Sequence, residues 1–187
     1  MMDPNYRIAA ARQSHLAAIP VIERAAARLF SERDLPPHIR YRVTDRNTLL
    51  KAQRDGRLWV ALAAREGVVG FALADTMDND AFLDEVDVTP DHGRRGIGKR
   101  LVEAVIDWAE AQGRTGLTLV TFRHVRWNAP FYASLGFRTI DEEELGPGLR
   151  ERLQQEQAAG IDPGKRVAMR LALARGTPPP PAISRCS

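Results

Sequence analysis

The stretch that decides the reading runs from Val86 to Leu101, VDVTPDHGRRGIGKRL. Val86 and Val88 alternate with Asp87, the period-two pattern of a strand with one apolar face, and Pro90 ends it. Gly93, Gly96 and Gly98 then share a loop with Arg94 and Arg95. Beyond it Leu101, Val102, Val105, Ile106 and Ala109 keep helical spacing as far as Gly113. Glycines let backbone N–H groups turn inward and a ligand approach closely, and a helix N-terminus adds about half a positive charge. The segment predicts a phosphate-binding loop. It is not a Walker A loop, because Arg100 stands where Ser or Thr should follow Gly98-Lys99. A dinucleotide fingerprint fits poorly, because Leu101 stands where a third Gly or Ala belongs.

Upstream, Tyr6 to Arg12 reads as a first strand. Leu16, Ile19, Ile22, Ala26 and Leu29 mark a helix from His15 to near Phe30, and Pro36-Pro37 break the chain. A second helix is expected from Asp45 to Arg54, capped by Thr44 or Asp45. Arg57 to Ala64 and Val68 to Asp75 read as paired strands, and Ala81 to Val88 as another, with Glu85 and Asp87 on the face opposite Val86 and Val88. Downstream come a strand (Leu117 to Phe122), a short helix (Ala129 to Leu135), a strand (Phe137 to Ile140), a helix (Gly148 to Ala158) and a last strand (Arg166 to Leu173). Met169 in that strand reads as core packing. The tail from Arg175 carries four of the twelve prolines and reads as an extended appendage.

With 187 residues, 44% hydrophobic and 27% charged, the chain suits one globular domain with a real core. No run approaches the roughly 18 apolar residues of a membrane span, and MMDPNYRIAA lacks a basic head followed by an apolar run. A soluble cytoplasmic protein with no membrane partner is expected. The single cysteine, Cys186, cannot close an internal disulfide or build a cysteine metal site alone, and no metal is expected. A net charge of +3, from 27 basic and 24 acidic residues, is too small to argue for nucleic acid. Its distribution says more. Asp75, Asp78, Asp80, Asp84, Glu85 and Asp87 follow one another without a Lys or Arg, and Arg94, Arg95, Lys99 and Arg100 follow without an acid.

The third kind of phosphate loop is that of coenzyme A acyltransferases, and here the sequence resembles the GNAT superfamily of N-acetyltransferases. Val88-Thr89-Pro90 and Gly96-Ile97-Gly98 match its strand end and its Q/R-x-x-G-x-G/A loop. Asn128 to Phe137, NAPFYASLGF, is similar to its second motif, which commonly ends F-Y-x-x-L-G-F. Two departures stand out. The family's Gln or Arg falls at Gly93, leaving Arg94 or Arg95 to contact phosphate. The family's asparagine, about seven residues before the tyrosine, falls at Val125, so that Asn128 either touches the cofactor or caps the short helix.

The resemblance implies a single α/β domain over residues 6–174, with a mixed, mostly antiparallel central sheet flanked by helices, between a flexible N-terminus (1–5) and a flexible Pro-rich tail (175–187). It implies direct acetyl transfer from acetyl-CoA to a primary amine of a small molecule, a protein lysine or a peptide N-terminus, with a homodimer left open. The splayed strand Val86, Asp87 and Val88 would hold the pantetheine arm, and Gly93, Arg94, Arg95, Gly96, Ile97, Gly98 and Lys99 the pyrophosphate, with Asn128 as a further cofactor contact. Tyr132 would be the general acid and Glu85 the base, with Asp87 able to bind the ammonium. His124 has the pKa range of a base but reads more simply as a loop histidine. Trp59 and Trp127 read as pocket lining or ordinary core, and Asp141 to Gly164, with its Asp141-Glu142-Glu143-Glu144 run, is expected to border the acceptor site. A basic loop beside an acidic strand suits an anionic coenzyme meeting a cationic amine. The alternative is a non-catalytic acyl-CoA-binding sensor with the same loop.

Overall fold

The computed structural model describes residues 5–174. Its strands are β1 (Tyr6–Ala10), β2 (Leu58–Ala63), β3 (Gly67–Met77), β4 (Asp80–Val88), β5 (Gly116–Phe122), β6 (Arg138–Thr139) and β7 (Arg166–Ala172). Its helices are α1 (Ile19–Ala27), α2 (Pro37–Arg40), α3 (Arg46–Arg54), α4 (Ile97–Ala111), α5 (Ala129–Ser134) and α6 (Pro147–Ala158). The strands form one sheet in the order β1-β2-β3-β4-β5-β7-β6, antiparallel everywhere except between β4 and β5. This is the mixed, mostly antiparallel sheet expected above.

Each face of the sheet has its own core. On one side α4 sets Ile97, Leu101, Val102, Val105 and Ala109 against Ala61, Ala72, Ala74, Ala81 and Leu83. On the other, Ile19 and Ile22 of α1 and Leu49 and Ala52 of α3 pack on Leu58, Val60, Phe71 and Leu73. Asp45 caps α3 as expected, its carboxylate accepting from the N–H groups of Asn47 (2.9 Å) and Thr48 (3.1 Å). The first helix differs from its expected span. Gln13–Ala18 is a 3₁₀ turn, α1 starts only at Ile19 with Pro20 in its first turn, where no intrahelical donor is lost, and it stops at Ala27. Leu29 therefore lies outside it and is 47% exposed. The expectations for residues 1–4, for the tail and for Cys186 lie outside the described residues.

One irregularity positions everything that follows. Leu73 pairs with Glu85 but Ala74 pairs with Leu83, so Asp84 is an extra residue, a β-bulge, in β4. Before the bulge, odd-numbered Ala81 and Leu83 face α4; after it, even-numbered Val86 and Val88 pack on that side. Glu85 and Asp87, paired with Leu73 and Phe71, are thereby turned to the α1 face. A close approach of β3 supports this end of β4. A side chain at Gly70 would meet the Asp87 carbonyl at 2.9 Å and Val88 Cγ2 at 3.1 Å. The Gly70→Ala variant should lose about 1–3 kcal/mol to overpacking, a fall of about 2–4 °C per kcal/mol in thermal unfolding.

Candidate active site

The parallel β4–β5 ladder is only two pairs long, Ala81 with Leu117 and Phe82 with Thr118. Beyond it the strands diverge, and among the described residues no strand covers the edge of β4 from Leu83 to Val88. The gap holds a cavity of about 440 Å³. Glu85, Val86 and Asp87 form one wall, Leu119 to Phe122 another, with Asn128 and Tyr132 beside them. Glu23 of α1, the segment from Leu35 to Thr44, and Arg152, Ile161 and Arg166 close it.

Glu85 and Asp87 sit there without a cationic partner among the described residues. Burial, then the charges of Asp87 and Glu23, push the Glu85 carboxyl well above the usual carboxylate range. Burial raises Asp87 to about 7. Glu23, buried on α1, accepts from the N–H of Thr44 (3.0 and 3.3 Å), and the Thr44 hydroxyl donates to Glu85 Oε2 (3.3 Å). Glu23 and Thr44 were missed in the sequence. A signal existed for Glu23, since it occupies the fourth-residue position of the buried Ile19, Ile22, Ala26 stripe, where an acid has no packing reason to be.

Tyr132 is buried against Phe131 and Phe137 at ring distances of 5.1 and 5.6 Å, and among the described residues no group hydrogen-bonds its hydroxyl. Burial, with the Asp87 and Glu85 charges, pushes its pKa upward, so it is a neutral phenol at physiological pH. Asn128 does not cap α5: its side chain donates from Nδ2 to Thr121 Oγ1 (2.8 Å), leaving Oδ1 buried without a partner beside the cavity. Pro130 in the first turn already removes one of the donors a cap would serve.

The glycine loop lies past the end of β4 and does not line the cavity; nor does Val88. Gly96 (φ +76°) is the left-handed N-cap of α4. That helix has neither a side-chain cap nor an acid in its first turn, so the N–H groups of that turn have no side-chain partner. The two arginines separate. Arg95 turns away to the Asp91 carbonyl (3.4 Å) and the Tyr6 ring, whereas the Arg94 side chain is exposed and has no partner among the described residues. Arg94 also holds φ +59°, a strained conformation for a non-glycine residue. Lys99 is drawn along the helix to Glu103 (3.7 Å). The second motif touches the first, with Phe131 Cζ 3.7 Å from the Cβ position at Gly98.

Other candidates lie elsewhere. His124 binds Asp34 (3.1 Å), which Lys165 and Ser31 hold down at about 2. Trp59 is core, stacked edge-on to Trp108, and Trp127 is 49% exposed against Phe30; neither lines the cavity. Of Asp141 to Gly164, Arg152 and Ile161 reach the cavity, but Asp141 to Glu144 do not, and Glu144 pairs with Arg138. Met169 is core, as expected. Among the described residues no group of three or more His, Cys, Asp or Glu side chains could hold a metal, and no helix is long and apolar enough to cross a membrane.

Residues 20–137 match the acetyltransferase (GNAT) family model, and the chain belongs to that family. Over 90 residues, 48% of the chain, it is 32% identical to the [ribosomal protein bS18]-alanine N-acetyltransferase of Salmonella typhimurium, spanning 61% of that protein. The fold resembles N-acetylglutamate synthase from Neisseria gonorrhoeae, solved with coenzyme A and N-acetyl-glutamate. The TM-score is 0.69 at 19% identity, over 92% of this chain and 36% of that one. It also resembles the PaiA N-acetyltransferase of Thermoplasma acidophilum, solved with coenzyme A (TM-score 0.64, 18% identity, 89% of this chain and 98% of that one).

Two predictions follow from these charges and dihedrals. Because the folded state raises Asp87 from 3.8 to about 7, it binds more protons than the unfolded state between those values, and stability falls as pH climbs through that window. Asp87→Asn should flatten this fall and give a higher melting temperature than wild type at pH 8. Arg94→Gly should relieve about 0.5–1 kcal/mol of backbone strain while weakening binding of a pyrophosphate-bearing nucleotide, two opposite readouts measured by calorimetric unfolding and titration.

Proposed function

We propose that the protein is an acetyl-CoA-dependent N-acetyltransferase that passes the acetyl group directly to a primary amine. The observation that carries this reading is one cavity, opened by the β4–β5 splay, that joins carboxyls lacking a cation (Glu85, Asp87) to an unpartnered neutral phenol (Tyr132). The chain's residues fit the coenzyme. Arg94 and the first-turn N–H groups of α4 suit a pyrophosphate, and the uncovered edge at Val86 to Val88 and the orphaned Asn128 Oδ1 suit the amides of a pantetheine arm. When bound, acetyl-CoA supplies an acetyl group activated as a thioester. Family membership and the coenzyme held by structural neighbours support the same reading.

Glu85 and Asp87 attract the acceptor's ammonium and take a proton from it, which frees the nitrogen lone pair. A neutral amine is required, and carboxyls raised toward neutrality are better matched to this task than ordinary ones. The Tyr132 hydroxyl gives a proton to the departing sulfur. One C–S bond breaks and one C–N bond forms. Of the two protons the ammonium loses, one ends on the thiol and one in solvent. The acceptor can be a small molecule, a protein lysine or an N-terminus, the last being the kind for which the Salmonella relative is named. We place the reaction in the cytoplasm, where acetyl-CoA and such amines meet.

Thiol release from acetyl-CoA with an amine panel tests the proposal. Tyr132→Phe should keep coenzyme binding and lose about 10²-fold or more in turnover; unchanged turnover removes Tyr132 from the chemistry. The activity should rise with pH through about 7, following Asp87. Failure to bind coenzyme A at low ionic strength rejects the reading, and binding without single-turnover transfer to any amine makes the protein a sensor.

A further inference from the structure

The cavity has a second charged pole that acetyl transfer to an amine does not require. Four arginines border it. Arg152 pairs with Asp84 (3.1 Å) and Glu156 (3.2 Å), and Arg166 with Glu156 (2.7 Å), so both are engaged. Arg40 has only a distant carboxylate, and Arg42 has none among the described residues. Arg40 donates through Nη2 to the Phe30 carbonyl (2.6 Å), lies 3.9 Å from its single carboxylate neighbour Glu32, and keeps Nε buried without a partner. Arg42 is exposed and lines the cavity, and its side chain has no hydrogen-bond or ion-pair partner among the described residues. Glu23, Glu85 and Asp87 line the same cavity, yet none forms an ion pair with either arginine. Opposite charges share one cavity without neutralising each other.

The backbones of the two poles are neighbours: Arg42 lies two residues before Thr44, at most about 7 Å of extended chain from Cα to Cα, and Thr44 touches both Glu23 and Glu85. Apolar side chains from Phe30, Leu35, Ile39, Phe122 and Ile161 line the remaining surface. From this arrangement we infer that the acceptor is a small zwitterionic amine. Its ammonium lies at Glu85 and Asp87, its carboxylate or phosphate lies at Arg42 and Arg40, and an apolar body rests on the wall near Phe122. A free α-amino acid with an apolar side chain has this chemistry. A polyamine would set a cation against Arg42, and a peptide N-terminus would lack the adjacent anion.

The inference rests on the acetyltransferase reading, and its test separates the two. Leucine, phenylalanine and O-phosphoethanolamine should be acetylated with kcat/KM at least tenfold above leucinamide, phenylalaninamide, isoamylamine, phenethylamine, spermidine and an alanine-initiated peptide. Activity with O-phosphoethanolamine against the amino acids tells phosphate from carboxylate. Arg42→Glu should raise KM for the preferred zwitterion at least tenfold and improve spermidine, leaving the KM for acetyl-CoA and the melting temperature unchanged, since the Arg42 side chain makes no hydrogen bond or ion pair among the described residues and its backbone bond to Ile39 survives the substitution. Amides or decarboxylated amines used as well as the amino acids, preference for the peptide, or an indifferent Arg42→Glu would overturn the inference while the acetyltransferase reading stands. No thiol release with any amine rejects both.

Discussion

The extra residue at Asp84 is the constraint on which the site depends. A strand paired without interruption to β3 would keep its parity, and Glu85 and Asp87 would then share the face of Ala81 and Leu83, against the apolar side of α4. Two carboxyls in that core would cost several kcal/mol each without partners. The bulge moves them to the other face, where a cavity and the Thr44 hydroxyl receive them. It coincides with the end of the β4–β5 ladder, since a bulged strand bends and twists away from its neighbour. One inserted residue thus sets both the orientation of the carboxyls and the opening into which they point. The bulged residue is itself tied down, its carboxylate meeting Arg152.

Keeping Glu85 and Asp87 poised requires that nearby cations be occupied. Arg152 and Arg166 border the same cavity and would pull these carboxyls down to ordinary values if they turned inward. Glu156 holds both from the outside, with Arg166 also donating to the Val120 carbonyl (3.3 Å). Lys165 is likewise bound to Asp34 and the Arg33 carbonyl. The partly exposed Arg152–Asp84 pair contributes little to stability and matters more for what it withholds from the cavity, whereas the nearly buried, two-pronged Arg166–Glu156 pair serves both ends. Among the lining cations only Arg42, on the segment between α1 and α3, has a side chain without any partner among the described residues.

Most of the scaffold was legible because period-two and helical spacing survive in the sequence wherever one face is buried. The run from Val86 to Leu101 located the strand, loop and helix, and the element order and mixed sheet agree with the expectation. Asp45 was legible as a cap because capping chemistry is local. The bulge was not, since Asp84 is one acid among several and its register depends on β3. Nor was Glu23, whose neighbours in space come from Thr44 and Glu85, far along the chain. Nor was the difference in placement between Arg94 and Arg95, since Arg95 turns to Tyr6, remote in sequence but packed beside the loop. Local signals report elements; long-range pairing decides which side chains those elements aim at one another.

That division bears on specificity within a shared fold. The parts legible from local motifs, the glycine loop and the α5 segment, touch each other through Phe131 and Gly98 and form the end at which we propose the coenzyme's phosphates bind. The end we propose for the acceptor is assembled from α1, the Leu35 to Thr44 segment, Arg152 and Ile161, none of which carries a motif. The segment is held by side chains at several points, through His38 to the Ala159 carbonyl (2.7 Å), Arg40 to the Phe30 carbonyl, and Asp34 to Lys165 and His124. Its charges are therefore presented from a fixed wall. A fold of this kind can keep its coenzyme end constant while a few substitutions between residues 35 and 44 change the sign of the acceptor pole, because that wall is joined to the sheet by side-chain contacts and not by the backbone ladder.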